Sequence, residues 1–227
     1  MALLIPLLLA LAYAAISMGF GIWRTHKMLD ANSHPLKDPS LTLLAARMAT
    51  ALDIPAIPVH IYDIEPVNGL AAPDGRIFLT TGFLKKYREG AVSDEEIASV
   101  IAHEMGHVAL GHSKRRMIDV TGQNAVFVLL TAFLSRFLPI IGVWIANTLS
   151  TALMARLSRR DEFEADAYAS ALLIKSGIGT APQKSLFRKL ERLTKSSGAG
   201  IPAWMRSHPH TEERIAAIEA NEARWFA

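Results

Sequence analysis

The order of apolar and polar positions marks an uncharged N-terminus, which is followed by amphipathic segments. Residues 1–23 carry no charged side chain. A helix of that length extends about 34 Å, and the hydrocarbon core of a bilayer is about 30 Å thick. The pattern predicts a transmembrane anchor over residues 1–23, and a cleaved signal peptide is the alternative interpretation.

Positive charge follows this segment directly. Arg24 and Lys27 come just after Trp23, whose indole suits the boundary between lipid and water. Because basic residues favour the cytoplasmic side, we expect the following domain on the cytoplasmic face of a bacterial-type inner membrane. A periplasmic location is the alternative. We assign residues 24–39 to a linker and residues 40–227 to one folded domain.

The periodicity of the remaining chain predicts a mainly helical domain with a small β-sheet, an α+β fold. The helix over 94–110 is the best defined, because Ser93 and Glu96 form a capping box and Gly111 provides a stop. Short strand patterns cover 59–62 and 76–80, and the composition of 68–75 is typical of turns. Further helices are predicted over 40–51, 82–87, 156–172 and 183–195 and after Thr211.

A second apolar stretch covers residues 125–155. Ser135-Arg136 and Pro139 interrupt it, and neither half has the length of a comfortable membrane span. The pattern predicts an apolar, membrane-associated hairpin that turns at the interruption. Since a deep hairpin would carry Arg136 into lipid, we expect a shallow or surface-lying arrangement.

The composition narrows the chemistry that the chain can perform. It has no cysteine, which excludes disulfides, thiol catalysis and cysteine metal sites. The net charge of +3 is mild and no basic run alternates with aromatic residues, so no nucleic-acid partner is expected. The mean hydropathy of +0.23 suits a chain with part of its length in lipid. Any metal site must use histidine and carboxylate side chains.

A metal-binding pattern lies in the helix over 94–110. His103 and His107 are four residues apart, so both imidazoles project from one helix face and can reach one ion. Glu104 leans to the side, where it can touch a water molecule without occupying a coordination position. This HExxH spacing is typical of catalytic zinc sites, and it predicts one Zn²⁺ per chain with Glu104 as the general base.

A catalytic zinc needs a third protein ligand and an open fourth position. His112 follows His107 by five residues and is turned away from the ligand face, so the third ligand must be distant in sequence. The acidic cluster over 161–166 is the candidate donor. Glu162 and Asp166 share a helix face, so that one can bind the metal while the other accepts a hydrogen bond from a ligand histidine.

The chain resembles the HtpX-like peptidases over residues 40–222. These peptidases are membrane-associated gluzincins related to the CAAX prenyl proteases and the mitochondrial Oma-type proteases. The resemblance rests on four ordered motifs, which are Asn68-Gly69-Leu70-Ala71 with the segment 75–82, His103-Glu104-Met105-Gly106-His107 with Gly111-His112, Arg160 to Asp166, and His208-Pro209-His210-Thr211-Glu212-Glu213-Arg214.

The resemblance implies a gluzincin-type zinc-peptidase fold and a role for each matching residue. It implies Glu162 as the third metal ligand and Asp166 as its hydrogen-bonding partner residue. His208 would lie near the metal and donate to the oxyanion. Residues 76–80 would form the active-site edge strand, which binds an extended substrate through Ile77, Phe78 and Leu79, with Asn68 beside it.

The resemblance also implies what the chain acts on. The expected activity is hydrolysis of peptide bonds in unfolded or membrane proteins, as in protein quality control. The expected partners are polypeptide substrates and membrane lipid, and the oligomeric state is left open. A membrane chaperone or assembly factor of the same fold with a latent protease site is the alternative.

Overall fold

The computed structural model describes residues 4–112, 141–195 and 211–226, together with single positions and short runs between 115 and 138. The chain divides into two compact units. The first consists of Met1–Ala31 and Ser113–Ser158, and the second consists of Asn32–His112 and Arg159–Ala227.

The first unit contains helix α1, Leu4–Ala31, and the beginning of a long helix α5, Ile141–Lys175. Residues 136 and 137 form a turn, after which the backbone N–H of Leu138 donates to the carbonyl oxygen of Leu134 at 2.8 Å. Among the residues that the structure describes, no helix is long and apolar enough to cross a membrane. The anchor over 1–23 and the hairpin over 125–155 therefore stay predictions.

The second unit contains a four-stranded sheet with the order β1-β2-β4-β3. Strand β2 runs parallel to β4 with Ile61 opposite Leu79, and the other two pairs are antiparallel. The sequence did not predict β1 and β3, because each is three residues long and β1 contains a proline, which an edge strand tolerates. The strands are β1 Ser33–Pro35, β2 Val59–Tyr62, β3 Gly69–Ala71 and β4 Ile77–Thr80.

The predicted edge strand is a central strand. Strand β4 pairs with β2 on one side and with β3 on the other, and Ile77, Phe78 and Leu79 are fully buried. Its backbone groups are used in the sheet, so these residues cannot bind a peptide by strand addition. The expectation was wrong because an apolar run identifies a buried strand but not its neighbours. In the described sheet, the edge strand on that side is β3.

The helices of the second unit mostly match their predicted positions. The capping box at Ser93 and Glu96 is confirmed, and Gly111 follows the helix with a φ of +69°. Helix α5 is the exception, since it begins at Ile141 rather than 156. No proline or glycine interrupts the chain between Gly142 and Lys175, so nothing in the sequence stops it earlier. The other helices are α2 Pro39–Ala51, α3 Thr81–Arg88, α4 Asp94–Ala109, α6 Ala181–Lys195 and α7 Thr211–Trp225.

Helix α4 passes through the core of the second unit. Ile97 and Ile101 are fully buried within the hydrophobic cluster. The carboxylate of Glu96 accepts hydrogen bonds from Ser185 at 2.6 Å and from Lys189 at 2.8 Å, and these bonds join α6 to the start of α4. These bonds hold the N-terminal end of α4, the helix that carries both histidines, against α6.

Candidate metal centre

Three ligand atoms converge between α4 and α5. The Nε2 atoms of His103 and His107 lie 3.1 Å apart. The carboxylate of Glu162 lies 3.4 Å from the former and 3.5 Å from the latter. All three side chains are buried, and together they form a group that could hold one metal ion. The donor set of two imidazoles and a carboxylate is one that catalytic zinc sites use.

Helix geometry explains how these atoms meet. His103 and His107 are one turn apart on α4, and Glu162 lies on the neighbouring α5. The two helices approach closely at Gly106, where a Cβ atom would lie 2.9 Å from the carbonyl oxygen of Ala165. A glycine between the two histidines therefore allows Glu162 to reach them.

Asp166 and Arg214 support the ring of His103 from behind. The Nδ1 atom of His103 lies 2.9 Å from Asp166 Oδ1. Arg214 donates two hydrogen bonds to the same carboxylate, from Nε at 2.6 Å and from Nη2 at 2.7 Å. The guanidinium also stacks over the ring of Phe187 at 4.4 Å. Asp166 thus contacts His103, one of the two histidines that the sequence predicts as metal ligands.

Charge compensation makes this buried arrangement possible. Burial raises the pKa of Asp166, but the charges and hydrogen bonds of Arg214 and His103 together outweigh it and hold that pKa below its usual range. Burial lowers the pKa of His103, while hydrogen bonding to Asp166 and Glu162 acts against it and raises the pKa to about 9. The carboxylates around His103 thus favour positive charge at this place, which a metal cation would also supply.

A second chain of contacts supports the ring of His107. Its Nδ1 atom lies 2.9 Å from Nδ1 of His112. The Nε2 atom of His112 lies 3.3 Å from Glu164, whose other oxygen accepts from Arg160 at 2.7 Å. His112 lies on the side of His107 away from His103, and it contacts the ring of His107 directly through Nδ1.

Glu104 faces the sheet. Its side chain is buried, and a Cβ atom on Gly69 of β3 would lie 3.2 Å from its Oε1. Asn68 precedes β3, where its backbone N–H donates to the hydroxyl of Thr80 at 3.0 Å. The amide oxygen of Asn68 is buried and has no hydrogen-bond partner among the described residues. The predicted base and the predicted substrate-binding asparagine are therefore on the same side of α4.

Sequence reasoning gave no role to Arg214, which lies 48 residues from Asp166. No local spacing could reveal that pairing, although an arginine in the motif shared with the peptidases was a hint. His208 lies outside the described residues, so its predicted role as an oxyanion donor stays a prediction. Ile77, Phe78 and Leu79 are not brought to the centre as accessible groups.

Comparison with known proteins identifies the family. The model of peptidase family M48 matches residues 35–222. The chain belongs to peptidase family M48. It is a metal-dependent peptidase, and the resemblance to HtpX-like peptidases is confirmed. The His–His–Glu group described above is the candidate for the metal on which that activity depends.

Individual relatives cover the chain to different extents. The chain is 30% identical over 188 residues to the metalloprotease LoiP of Escherichia coli (strain K12), covering 83% of this chain and 71% of LoiP. It is 28% identical over 196 residues to the mitochondrial metalloendopeptidase OMA1 of Danio rerio, covering 82% of this chain but 40% of OMA1. A protease HtpX homolog of Janthinobacterium sp. (strain Marseille) is 26% identical, with 90% of this chain and 79% of that protein aligned.

Proposed function

We propose that this M48 peptidase is a zinc-dependent endopeptidase, with zinc held by His103, His107 and Glu162. Tetrahedral ligands at 2.0–2.1 Å from an ion lie roughly 3.4 Å from one another. The two Nε2 atoms are 3.1 Å apart. One carboxylate oxygen of Glu162 lies 3.4 Å from Nε2 of His103 and the other lies 3.5 Å from Nε2 of His107, so that one ion can contact all three side chains. This agreement carries the proposal, and it leaves a fourth position for the reaction.

Glu104 is the proposed general base. Bound zinc would supply Lewis-acid chemistry at the scissile carbonyl and make the attacking water more acidic. Glu104 follows His103 on α4, so its carboxylate is directed beside the ligands rather than at them. It takes a proton from the water and delivers it to the leaving amine. His208 is proposed to donate a hydrogen bond to the oxyanion.

Strand β3 is the proposed docking place for the substrate. It is the edge strand beside β4, and its Gly69 lies against Glu104. A peptide that extends the sheet there would carry its backbone past the proposed base. Asn68, which directly precedes β3, is proposed to lie beside the docked peptide, as the resemblance implies.

We also propose that the protein acts at a membrane, on unfolded or membrane-associated polypeptides. Most of the exposed large apolar side chains that the structure describes belong to the first unit, among them Trp144 at 73% exposure and Phe137 at 66%. Apolar surface of this kind suits contact with lipid. The uncharged segment 1–23 and the basic residues after it support an anchor with the second unit in the cytoplasm.

The experiment compares cleavage and metal content in two matched variants of the full chain. Glu104→Gln removes the base and leaves the ligands, so we expect one zinc per chain and cleavage of casein lowered by about 10²- to 10⁴-fold. Glu95→Gln makes the same change at an exposed position of the same helix and should match the wild type.

Three outcomes would count against parts of this proposal. Cleavage near the wild-type rate in Glu104→Gln would remove Glu104 as the base. A full complement of zinc in Glu162→Ala would remove Glu162 as a ligand. A zinc-loaded wild type that cleaves no polypeptide would favour a chaperone or assembly role with a latent site.

A further inference from the structure

His112 sits directly behind a proposed metal ligand because of the way α4 ends. Gly111 adopts a φ of +69°, which a glycine tolerates and which turns the chain back toward the helix. His112 is consequently 1% exposed, and its Nδ1 atom meets Nδ1 of His107 at 2.9 Å. At this distance one nitrogen must carry a proton and the other must accept it.

A bound metal would determine which nitrogens carry these protons. His107 faces His103 and Glu162 through Nε2, so it would hold a metal through the Nε2 lone pair and keep its proton on Nδ1. The Nδ1–H of His107 then donates to Nδ1 of His112. A neutral His112 that accepts on Nδ1 carries its own proton on Nε2, and that atom lies 3.3 Å from Glu164. The contact from His107 to His112 and the contact from His112 to Glu164 are thus both hydrogen bonds with one donor and one acceptor.

We propose that His112, anchored by Glu164, is a positioning residue that fixes the tautomer and ring orientation of His107 for metal binding. The inference rests on the proposed function, in which His107 binds the metal through Nε2. It gives the two ligand histidines separate supports, with Asp166 behind His103 and His112 behind His107. Arg160 is 74% exposed on its side chain, so its ion pair with Glu164 contributes little.

A second metal ion at His112, Asp161 and Glu164 is the competing interpretation, because their ligand atoms also lie within 4.8 Å of one another. The proton count disfavours it when His107 holds its own metal. Nδ1 of His112 then accepts from His107, so a metal on Nε2 would require His112 to have lost both ring protons. His112 and Glu164 are therefore assigned to the support of the one proposed metal centre.

The test measures zinc affinity by competition with a chelator, using the full chain. His112→Ala removes the acceptor, and loss of such a partner weakens metal binding by about 10- to 100-fold. His112→Asn keeps an acceptor, because its Oδ1 takes the place of the imidazole Nδ1, and it should recover most of that loss. His34→Ala changes an exposed histidine of β1 and should leave the affinity unchanged.

Glu164 provides an independent pair of variants, which also covers the case in which His112→Ala does not fold. Glu164→Ala removes the acceptor for Nε2–H of His112 and should weaken zinc binding less than His112→Ala does. Glu164→Gln retains a carbonyl oxygen that can accept the same proton, so its affinity should lie closer to that of the wild type. If His112 and Glu164 contributed to stability alone, the zinc affinities of these variants would not follow this order.

Cobalt(II) in place of zinc offers a spectroscopic signature, because it strongly shifts the N–H proton resonances of coordinated imidazoles. Two exchangeable resonances are expected, one from each ligand histidine. In His112→Ala the N–H resonance of His107 alone should exchange rapidly with water. His112→Asn should restore its slow exchange. Unchanged resonances in His112→Ala would overturn the proposal.

The remaining outcomes separate the inference from the function on which it rests. A wild type that binds no metal would refute the proposed function itself. A wild type with normal zinc affinity that is unchanged in His112→Ala and Glu164→Ala would refute only the positioning role. Two zinc ions in the wild type and one in His112→Ala, with the first affinity unchanged, would establish the second metal site instead.

Discussion

At the residue scale, the metal centre depends on the compensation of buried charges. Arg214 is 1% exposed and is among the largest fully buried side chains that the structure describes. Its two hydrogen bonds to Asp166 replace the water that this carboxylate loses on burial. Removing one partner of such a pair is costly, since the other is left as an isolated charge in the interior.

Arg214→Met tests this compensation. Methionine fills much of the volume over Phe187 but brings no charge, so we expect the free energy of unfolding to fall by about 3–5 kcal/mol. Zinc affinity should fall as well, because Asp166 would no longer be held against His103. Urea denaturation and chelator competition on the full chain measure the two effects.

Two companion variants show whether the isolated charge is the cause. The double variant Arg214→Met with Asp166→Asn removes both charges and should be more stable than Arg214→Met alone. Arg188→Met removes an exposed pair at 3.8 Å from Glu219 and should change stability by at most about 1 kcal/mol. Equal losses in all three variants would contradict the proposed origin of the effect.

At the element scale, the centre depends on the separation of α4 and α5. A Cβ atom on Gly106 would lie 2.9 Å from the oxygen and 3.0 Å from the Cα of Ala165, and both belong to backbone that cannot rotate away. The helices would have to move apart by a fraction of an ångström. Since α5 carries Glu162, this movement would withdraw one of the three proposed ligands.

Gly106→Ala should therefore weaken zinc binding and lower stability. The crowding costs about 1–3 kcal/mol, which exceeds the gain of about 1 kcal/mol that alanine brings to a helix. Chelator competition and thermal unfolding measure the two effects. Gly21→Ala is the matched control, because a Cβ at that helical position meets nothing within 4 Å. Unchanged zinc affinity in Gly106→Ala would show that the close approach does not position Glu162.

The elements also show which features the sequence could predict. Helix α4 was recognisable because its capping box and the spacing of its two histidines are local patterns. The order of the strands was not recognisable, because the pairing of β4 with both β2 and β3 depends on contacts across the sheet. The role of Arg214 could not be predicted for the same reason, because its partner Asp166 lies on another helix.

At the scale of the whole molecule, the chain leaves the second unit after His112 and returns to it at Arg159. His103 and His107 lie before this excursion and Glu162 lies after it, yet a carboxylate oxygen of Glu162 lies within 3.5 Å of each imidazole Nε2. If the first unit contacts a membrane, the segment Ser113–Ser158 must begin and end in the same compartment. A single crossing would separate the ligands.

The absence of cysteine from the chain allows this topology to be tested with single introduced cysteines. Lys37→Cys, Arg88→Cys and Glu219→Cys change exposed residues that lie in the second unit, on both sides of the excursion. Because the proposed metal centre would confine the second unit to one compartment, all three should give the same result with a membrane-impermeant maleimide. With the basic residues Arg24 and Lys27 on the cytoplasmic side, we expect protection in intact bacterial spheroplasts and labelling after lysis.

Labelling of all three in intact spheroplasts would place the peptidase in the periplasm. Labelling of Lys37→Cys and Arg88→Cys with protection of Glu219→Cys would be incompatible with one centre made by α4 and α5.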